Sequence, residues 1–375
     1  MKKPSGPLVA WIDFLAKSVI LGLAAAFVVV YFRPELLSER DSIESFAPAV
    51  ERSAPSVVNV HTARRVPGET HPGMMSEPFW RRFFDDSPGG HRDRIESSLG
   101  SGVIVSESGH ILTSNHVIEG AEEIRVALHD GSIEAAEIVG TDPETDLALL
   151  QIPAQNLPVI QFGRSDRLQV GDVALAIGNP VGLGQAVSQG IVSATGRSQL
   201  GITTFENFIQ TDAAINVGNS GGALVDTRGR LIGINTAMLS GENGGGSGIG
   251  FAVPVNLARG VMNQLIEHGR VIRGYLGVEL QPLTPELAES FGLPPDEQGV
   301  VITNVQRGGP AARAGIGPGD VITRINGEPV SDYYDTLNKV AGLQPGEVAT
   351  IRLIRDGEIM QVDAVIADRQ MISGD

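Results

Sequence analysis

The chain has 375 residues, 42% of them hydrophobic, a formal charge of −16 and no cysteine. That length and apolar content suit two globular units rather than one. The charge disfavours nucleic acid and anionic surfaces as partners, and the lack of cysteine excludes disulfides, cysteine nucleophiles and thiolate metal sites.

Lys2 and Lys3 precede an almost wholly apolar run from Leu8 to Phe32, in which Asp13 and Lys17 stand one helical turn apart and can pair. About 20 apolar residues cross a bilayer, and lysines ahead of them favour a cytoplasmic N-terminus. Residues 1–34 are therefore expected to be a cytoplasmic tip and a single-pass anchor, with the rest of the chain outside the cytoplasm. A cleaved signal peptide is the alternative, since Ala24-Ala25-Ala26 offers small residues, but the apolar run continues through Phe27-Val28-Val29-Val30. The polar, mixed-charge residues 35–50 read as a linker or short helix.

From Ala54 onward, short apolar or alternating runs separated by glycine-rich turns predict strands. They are Val57–Val60, Gly102–Val105, Ile124–Leu128, Leu147–Ile152, Val173–Ile177, Gly190–Ala194, Leu231–Ala237 and Gly250–Val253. Strands at this spacing fit two small β-barrels, not alternating βαβ units. One long loop is expected between Thr62 and Leu99, and its aromatic cluster of Phe79, Trp80, Phe83 and Phe84 fits either a contact surface or a locally packed loop. A helix is predicted from about Pro254 to His268, with Leu257, Val261 and Leu265 on one face and Gly269 placed to end it. Residues 51–270 are thus expected to form a mostly β domain and residues 271–375 a compact α+β module. In that module Thr284-Pro285 and Gly309-Pro310 start helices, Gly292 and Gly315 stop them, and Asn326-Gly327 and Asp356-Gly357 turn hairpins.

The most informative string is Gly218-Asn219-Ser220-Gly221-Gly222. Its glycines let the backbone turn sharply, so the N–H groups of Gly218 and Ser220 can converge as an oxyanion hole while Oγ stays exposed. An ordinary glycine turn is the alternative. The string also satisfies the G-x-S-x-G elbow of α/β hydrolases, but that fold needs an acid and then a histidine after the serine, and only His268 follows Ser220. Upstream, His116 follows the apolar pair Ile111-Leu112, and Asp146 opens the strand Leu147–Leu150. The order His, Asp, Ser is that of two-barrel serine proteases. In that reading His116 accepts the Ser220 proton and returns it to the leaving amine, while Asp146 fixes the imidazole tautomer and stabilises its positive form. Asp142 and Glu144, beside Pro143, read as turn residues. His61, His71, His91, His110 and His129 lack a comparable setting, no tight histidine spacing suggests a metal, and no cofactor is expected.

These residues resemble the HtrA (Deg) family of serine proteases. The likeness is carried by Leu99-Gly100-Ser101-Gly102-Val103-Ile104, Thr113-Ser114-Asn115-His116-Val117, Thr145-Asp146-Leu147-Ala148, Ala176-Ile177-Gly178-Asn179-Pro180, Gln210-Thr211-Asp212-Ala213-Ala214-Ile215-Asn216, the Ser220 string and Gly248-Ile249-Gly250-Phe251-Ala252-Val253-Pro254. It implies a chymotrypsin-like double β-barrel with His116, Asp146 and Ser220 as the catalytic triad and the backbone of Gly218 and Ser220 as the oxyanion hole. It also implies an S1 pocket shaped by Ile215 and by Asn235, Thr236 and Ala237. Ala214 and Ile215 stand where a trypsin-like pocket would carry a carboxylate, so cleavage after small or aliphatic residues is expected.

The last hundred residues resemble a PDZ domain, with Tyr275, Leu276, Gly277 and Val278 as its carboxylate-binding loop. The anchor and the single C-terminal module are most similar to the DegS and AlgW branch. That likeness implies a homotrimer in the bacterial inner membrane with periplasmic protease and PDZ domains. Its activators would be the exposed C-termini of misfolded outer-membrane proteins, its substrate an anti-sigma-factor-like membrane protein, and its regulatory loop the segment from Arg197 to Asn207. Two features depart from the branch: Val181 replaces an aromatic residue, and the loop from Thr62 to Leu99 is longer. A DegP-like or DegQ-like quality-control protease and a catalytically silent PDZ scaffold are the competing readings.

Overall fold

The computed structural model describes residues 7–32, 45–66, 94–178, 185–216, 218–240 and 246–369. The chain divides into two units, Met1–Pro48 and Ala49–Asp375. In the first unit α1 (Pro7–Phe32) is an unbroken helix of 26 residues. Apolar side chains along it, from Trp11 (67%) and Phe14 (63%) to Phe27 (70%), are exposed. Among the described residues no helix is long and apolar enough to cross a membrane. Lys2, Lys3, Val181 and the cluster Phe79 to Phe84 lie outside the described residues.

The second unit begins within α2 (Ala47–Ser53) and continues into two seven-stranded sheets. The first holds β1 (Val57–Val66), β2 (Arg94–Ile104), β3 (His110–Ser114), β4 (Glu123–Ala127), β5 (Ile133–Ala135), β6 (Glu137–Asp142) and β7 (Leu147–Gln151), in the antiparallel order β5-β4-β1-β2-β3-β7-β6. Val60, Ile111, Val126, Ala148 and Leu150 fill its core. The second holds β8 (Gln161–Phe162), β9 (Val173–Gly178), β10 (Ala186–Arg197), β11 (Phe208–Thr211), β12 (Ala223–Val225), β13 (Arg230–Ser240) and β14 (Gly246–Pro254). Its order is β12-β9-β10-β11-β14-β13-β8, and an additional β12–β13 pairing closes it on itself.

The loop expected from Thr62 to Leu99 is shorter than the sequence suggests. Residues 62–66 pair with residues 94–98 in continuous register, including Arg64 opposite Glu96, so only residues 67–93 connect the strands. This pairing lacks the apolar alternation by which strands are recognised.

Between His110 and Glu123, α3 (Asn115–Ile118) is a single helical turn. After β14 comes α4 (Val255–His268), which packs against β6, β7, β13 and β14 and so bridges both sheets. Its end follows expectation: Gly269 adopts φ 69° and its N–H returns to the Leu265 carbonyl. The helix end also requires Gly140 on β6, where a Cβ would lie 2.8 Å from the Gly269 oxygen.

The remaining residues form the α+β module. A sheet in the order β16-β17-β18-β20-β21 contains β16 (Val278–Pro282), β17 (Val300–Val305), β18 (Val321–Ile325), β20 (Val348–Arg355) and β21 (Glu358–Val365), with β19 (Glu328–Pro329) paired to β18. A smaller ladder joins β15 (Gly274–Tyr275) to β22 (Ala367–Asp368). Thr284 caps α5 (Pro285–Ser290) by accepting the Leu287 N–H, and Gly309 precedes α6 (Pro310–Arg313). Both hairpin dipeptides have positive φ at each residue, 48° and 80° at Asn326-Gly327 and 53° and 80° at Asp356-Gly357. A further helix, α7 (Tyr333–Ala341), capped by Asp332, packs against β15, β16 and β18.

Candidate active site

Four elements bring the sequence-predicted residues together where the two sheets meet. His116 lies on α3, Asp146 immediately precedes β7, Ser220 lies in the turn before β12, and Thr236 lies on β13. The His116 ring Nδ1 is 2.7 Å from Asp146 Oδ2, and the His116 backbone N–H donates to Asp146 Oδ1 at 2.9 Å. Thr236 Oγ1 also donates to Asp146 Oδ2. Asp146 itself has φ 57°, a left-handed conformation that aspartate tolerates better than most residues.

Burial alone would push the Asp146 carboxyl up. The hydrogen bond and positive charge of His116, joined by the hydrogen bonds of Thr236 and the His116 backbone, outweigh it and hold the group below its ordinary value. A carboxyl lowered in this way contributes stability above its unfolded value near 4 and loses it only as pH falls further through the folded value. The carboxylate is therefore ionised at neutral pH.

The glycines around Ser220 answer to close packing as well as to chain reversal. Gly221 has φ 80°, and a Cβ there would lie 2.2 Å from the Ser101 carbonyl oxygen and 2.3 Å from Thr113 Oγ1. Those atoms belong to β2 and β3, so the serine turn is pressed directly against the first sheet. Ser101 fastens it twice, its N–H donating to the Ser220 carbonyl at 2.8 Å and its hydroxyl to the Gly218 carbonyl at 2.6 Å. Gly218 has φ 98°. Among the described residues the Ser220 N–H has no acceptor, and Ser220 Oγ donates to the Thr236 carbonyl at 3.3 Å rather than to His116.

Around the serine, Ile215 is buried and packs over Gly250, whose Cβ would lie 2.8 Å from Ile215 Cδ1. Asn235 is fully buried and donates its amide to the Ala223 carbonyl, so its side chain braces β12. Thr236 was expected only beside S1, yet it also bridges Ser220 to Asp146. We expect Thr236→Val, nearly isosteric, to lower kcat/KM about tenfold and to shift the acid limb of its pH profile upward, because the carboxylate loses a stabilising donor. An unchanged pH profile would argue against this positioning role.

Asp142 and Glu144 are engaged elsewhere. Arg273, 7% exposed, donates to both Asp142 oxygens at 2.8 and 2.5 Å and to Glu144 at 3.2 Å, with its guanidinium 4.4 Å over the Phe205 ring. Arg369 adds a bond to Glu144 at 2.8 Å. These contacts tie the segment leading into the C-terminal module to the turn that ends at Asp146. Removing Arg273 strands a buried carboxylate, so Arg273→Ala should destabilise the protein by about 3 kcal/mol or more, measured by denaturant unfolding.

Tyr275 ends β15, Leu276 and Gly277 connect it to β16, and Val278 opens β16 at the open edge of its sheet. Leu276 is buried and Gly277 has φ 79°. Arg197 donates to Gln210 at 2.8 Å. The loop after it is gathered by the buried Glu206 carboxylate, which accepts N–H groups from Leu200, Ile202 and Thr203. Burial and the negative charge of Glu206 raise the Tyr334 hydroxyl above its ordinary value.

Comparison with known proteins agrees with both halves. A trypsin-like peptidase domain family matches residues 100–234, and a PDZ domain family matches residues 274–366. The periplasmic pH-dependent serine endoprotease DegQ of Escherichia coli (strain K12) is 42% identical over 355 residues, 94% of this chain and 76% of DegQ. A probable periplasmic serine endoprotease DegP-like of Pseudomonas putida (strain GB-1) is 43% identical over 86% of this chain and 70% of its own. Among solved structures, HtrA-type protease AlgW with decapeptide shares 52% identity at a TM-score of 0.74, covering 87% of this chain and 99% of that one. The serine endoprotease from Yersinia pestis shares 43% at a TM-score of 0.64, covering 86% and 98%.

Proposed function

The chain belongs to the HtrA family of serine endopeptidases, with a trypsin-like peptidase domain followed by a PDZ domain, and on that premise we propose that it is a periplasmic regulatory protease gated by peptide binding. In this reading Ser220 attacks the scissile carbonyl and His116 takes its proton. Asp146 holds the imidazole, and the N–H groups of Gly218 and Ser220 receive the oxyanion. Ile215 with the strand Asn235 to Ala237 shapes S1 for small or aliphatic side chains. A preference for Lys or Arg at P1 in a peptide library would reject that assignment.

The observation that carries the gated reading is the partnership of Ser220 Oγ with the Thr236 carbonyl instead of His116. A nucleophile whose hydrogen bond goes to a backbone carbonyl and not to its base is what a gated enzyme would hold at rest. Tyr275 to Val278 would take the terminal carboxylate of a misfolded outer-membrane protein, and the peptide would add to the free edge of β16. The signal would then pass through the loop after Arg197 to the serine turn. A saturating C-terminal apolar peptide should raise kcat/KM on a periplasmic anti-sigma-factor fragment by about 10- to 100-fold. No change in kcat/KM with peptide demonstrably bound would sink the gated reading.

We extend the proposal to the inner membrane, with α1 as a single-pass anchor. Its support is the sequence, an almost wholly apolar run from Leu8 to Phe32 behind Lys2 and Lys3, since among the described residues no helix is long and apolar enough to span. Release of the protein by high salt without detergent would overturn the anchor. A homotrimer follows from the family likeness, and light scattering giving any other multiple of the 39.5 kDa chain would reject it.

A second reading, general quality control, is favoured by the DegQ and DegP-like relatives at 42% and 43% identity. The higher identity to AlgW, 52% against 42% for DegQ, favours the regulatory reading. Degradation of unfolded casein without added peptide would reverse that preference.

A further inference from the structure

The −16 charge of the chain conceals a local excess of the opposite sign. On the second sheet's side of the molecule, a cleft of about 410 Å³ is lined by Arg164, Arg167, Arg228 and Arg230 against two carboxylates, Asp172 and Asp226. None of these residues belongs to the serine site or to the PDZ loop. Two of the arginines are neutralised in place. Arg230 pairs with Asp226 through two nitrogens at 2.7 and 2.6 Å, and Arg164 pairs with Asp166 at 3.3 and 2.7 Å. Among the described residues the guanidinium groups of Arg167 and Arg228 have no hydrogen-bonding or ion-pairing partner.

The turn that carries Arg228 is firmly held. Asp226 Oδ1 accepts the backbone N–H groups of Arg228 and Arg230, at 2.9 and 3.0 Å. The Arg228 carbonyl accepts from Arg52 Nη1 at 3.1 Å. Gly229, at φ 75°, packs so closely on α2 that a Cβ would lie 2.5 Å from the Ala49 oxygen. The cleft therefore adjoins the point at which the chain enters this domain. Val170, two residues beyond the cleft-lining Leu168, is 66% exposed.

We propose that this cleft binds the phosphate of an anionic phospholipid headgroup, with Arg167 and Arg228 as its free ligands, and so docks the protease domain on the membrane surface. Guanidinium forks match phosphate oxygens in pairs, and the volume lies within the range of small-ligand sites. The membrane is favoured over a free phosphate ester because the cleft adjoins α2, the first element after the linker, and because an exposed valine stands beside it. That choice of source rests on the anchored reading. The acidic remainder of the domain does not prevent docking, since screening confines its repulsion to about 8 Å at physiological salt.

The test titrates the full chain in non-ionic detergent with dihexanoylphosphatidylglycerol, followed by phosphorus NMR, beside dihexanoylphosphatidylcholine and inorganic phosphate. Saturable phosphatidylglycerol binding is expected, weakened by added NaCl and about tenfold or more by R167Q/R228Q, with little binding of the zwitterionic lipid. The pair R324Q/R352Q, which removes the same charge from the C-terminal module, should bind as the parent does. Unchanged binding in R167Q/R228Q, equal loss in R324Q/R352Q, or no saturable binding overturns the site. Binding of inorganic phosphate without the lipid overturns the membrane source. Parental peptide cleavage by R167Q/R228Q certifies its fold, and R167Q alone is scored if the double variant unfolds. The titration needs neither an inserted α1 nor peptide gating, so its failure is distinguishable from failure of the regulatory reading.

Discussion

Ser220→Ala is expected to lower kcat/KM on a cleavable peptide by about a million-fold, the loss seen when a serine protease is deprived of its nucleophile. The change removes one oxygen whose described bond is a 3.3 Å contact to the Thr236 carbonyl. The fasteners of the turn, Ser101 N–H to the Ser220 carbonyl and Ser101 Oγ to the Gly218 carbonyl, are left intact. Thermal unfolding should therefore match the parent, and affinity for a C-terminal peptide at the PDZ loop should be unchanged. Activity retained within a hundredfold of the parent, in a preparation free of contaminating protease, would overturn the assignment of Ser220.

Asp146→Asn is expected to cost about four orders of magnitude in kcat with the fold preserved. Asp146 accepts three hydrogen bonds, from the His116 backbone N–H, from the His116 ring and from Thr236 Oγ1. An asparagine amide offers one acceptor oxygen and one donor group, so it cannot accept from both sides. Whichever way it turns, a donor faces a donor or the imidazole takes the other tautomer, with its proton on the nitrogen that should receive the serine proton. The loss should be partly recovered at high pH, where hydroxide competes with the impaired base. A uniform loss across pH would point instead to a collapsed site, which the unfolding midpoint would reveal.

Much of the fold is legible because its signals are local. Thr284 caps a helix, Gly269 ends one in the left-handed region, and Asn326-Gly327 turns a hairpin, each through the conformational preference of one or two residues. The polar ladder from Thr62 to Val66 is not legible in the sequence because it lacks apolar alternation, nor is α3, because a single turn shows no period. For α7 the one local signal is its cap, Asp332, whose side chain accepts the Asp335 N–H. In the site, chain order distinguished the two-barrel protease from the α/β hydrolase. It could not show that Thr236 serves Ser220 and Asp146 together.

The sequence by itself determined the residue types and their order: a serine among glycines, a histidine and an aspartate ahead of it, and the string Tyr275-Leu276-Gly277-Val278 behind. Turn geometry and nucleophile chemistry depend on neighbours along the chain, so these were open to reading. Tertiary structure alone decided that Asp142 belongs to Arg273, 131 residues away, rather than to His116. It also decided that Gly221 is required by β2 and β3, and that arginines from two separate turns share one cleft. Such partnerships are set by which surfaces packing brings together, and no local preference of the chain encodes them.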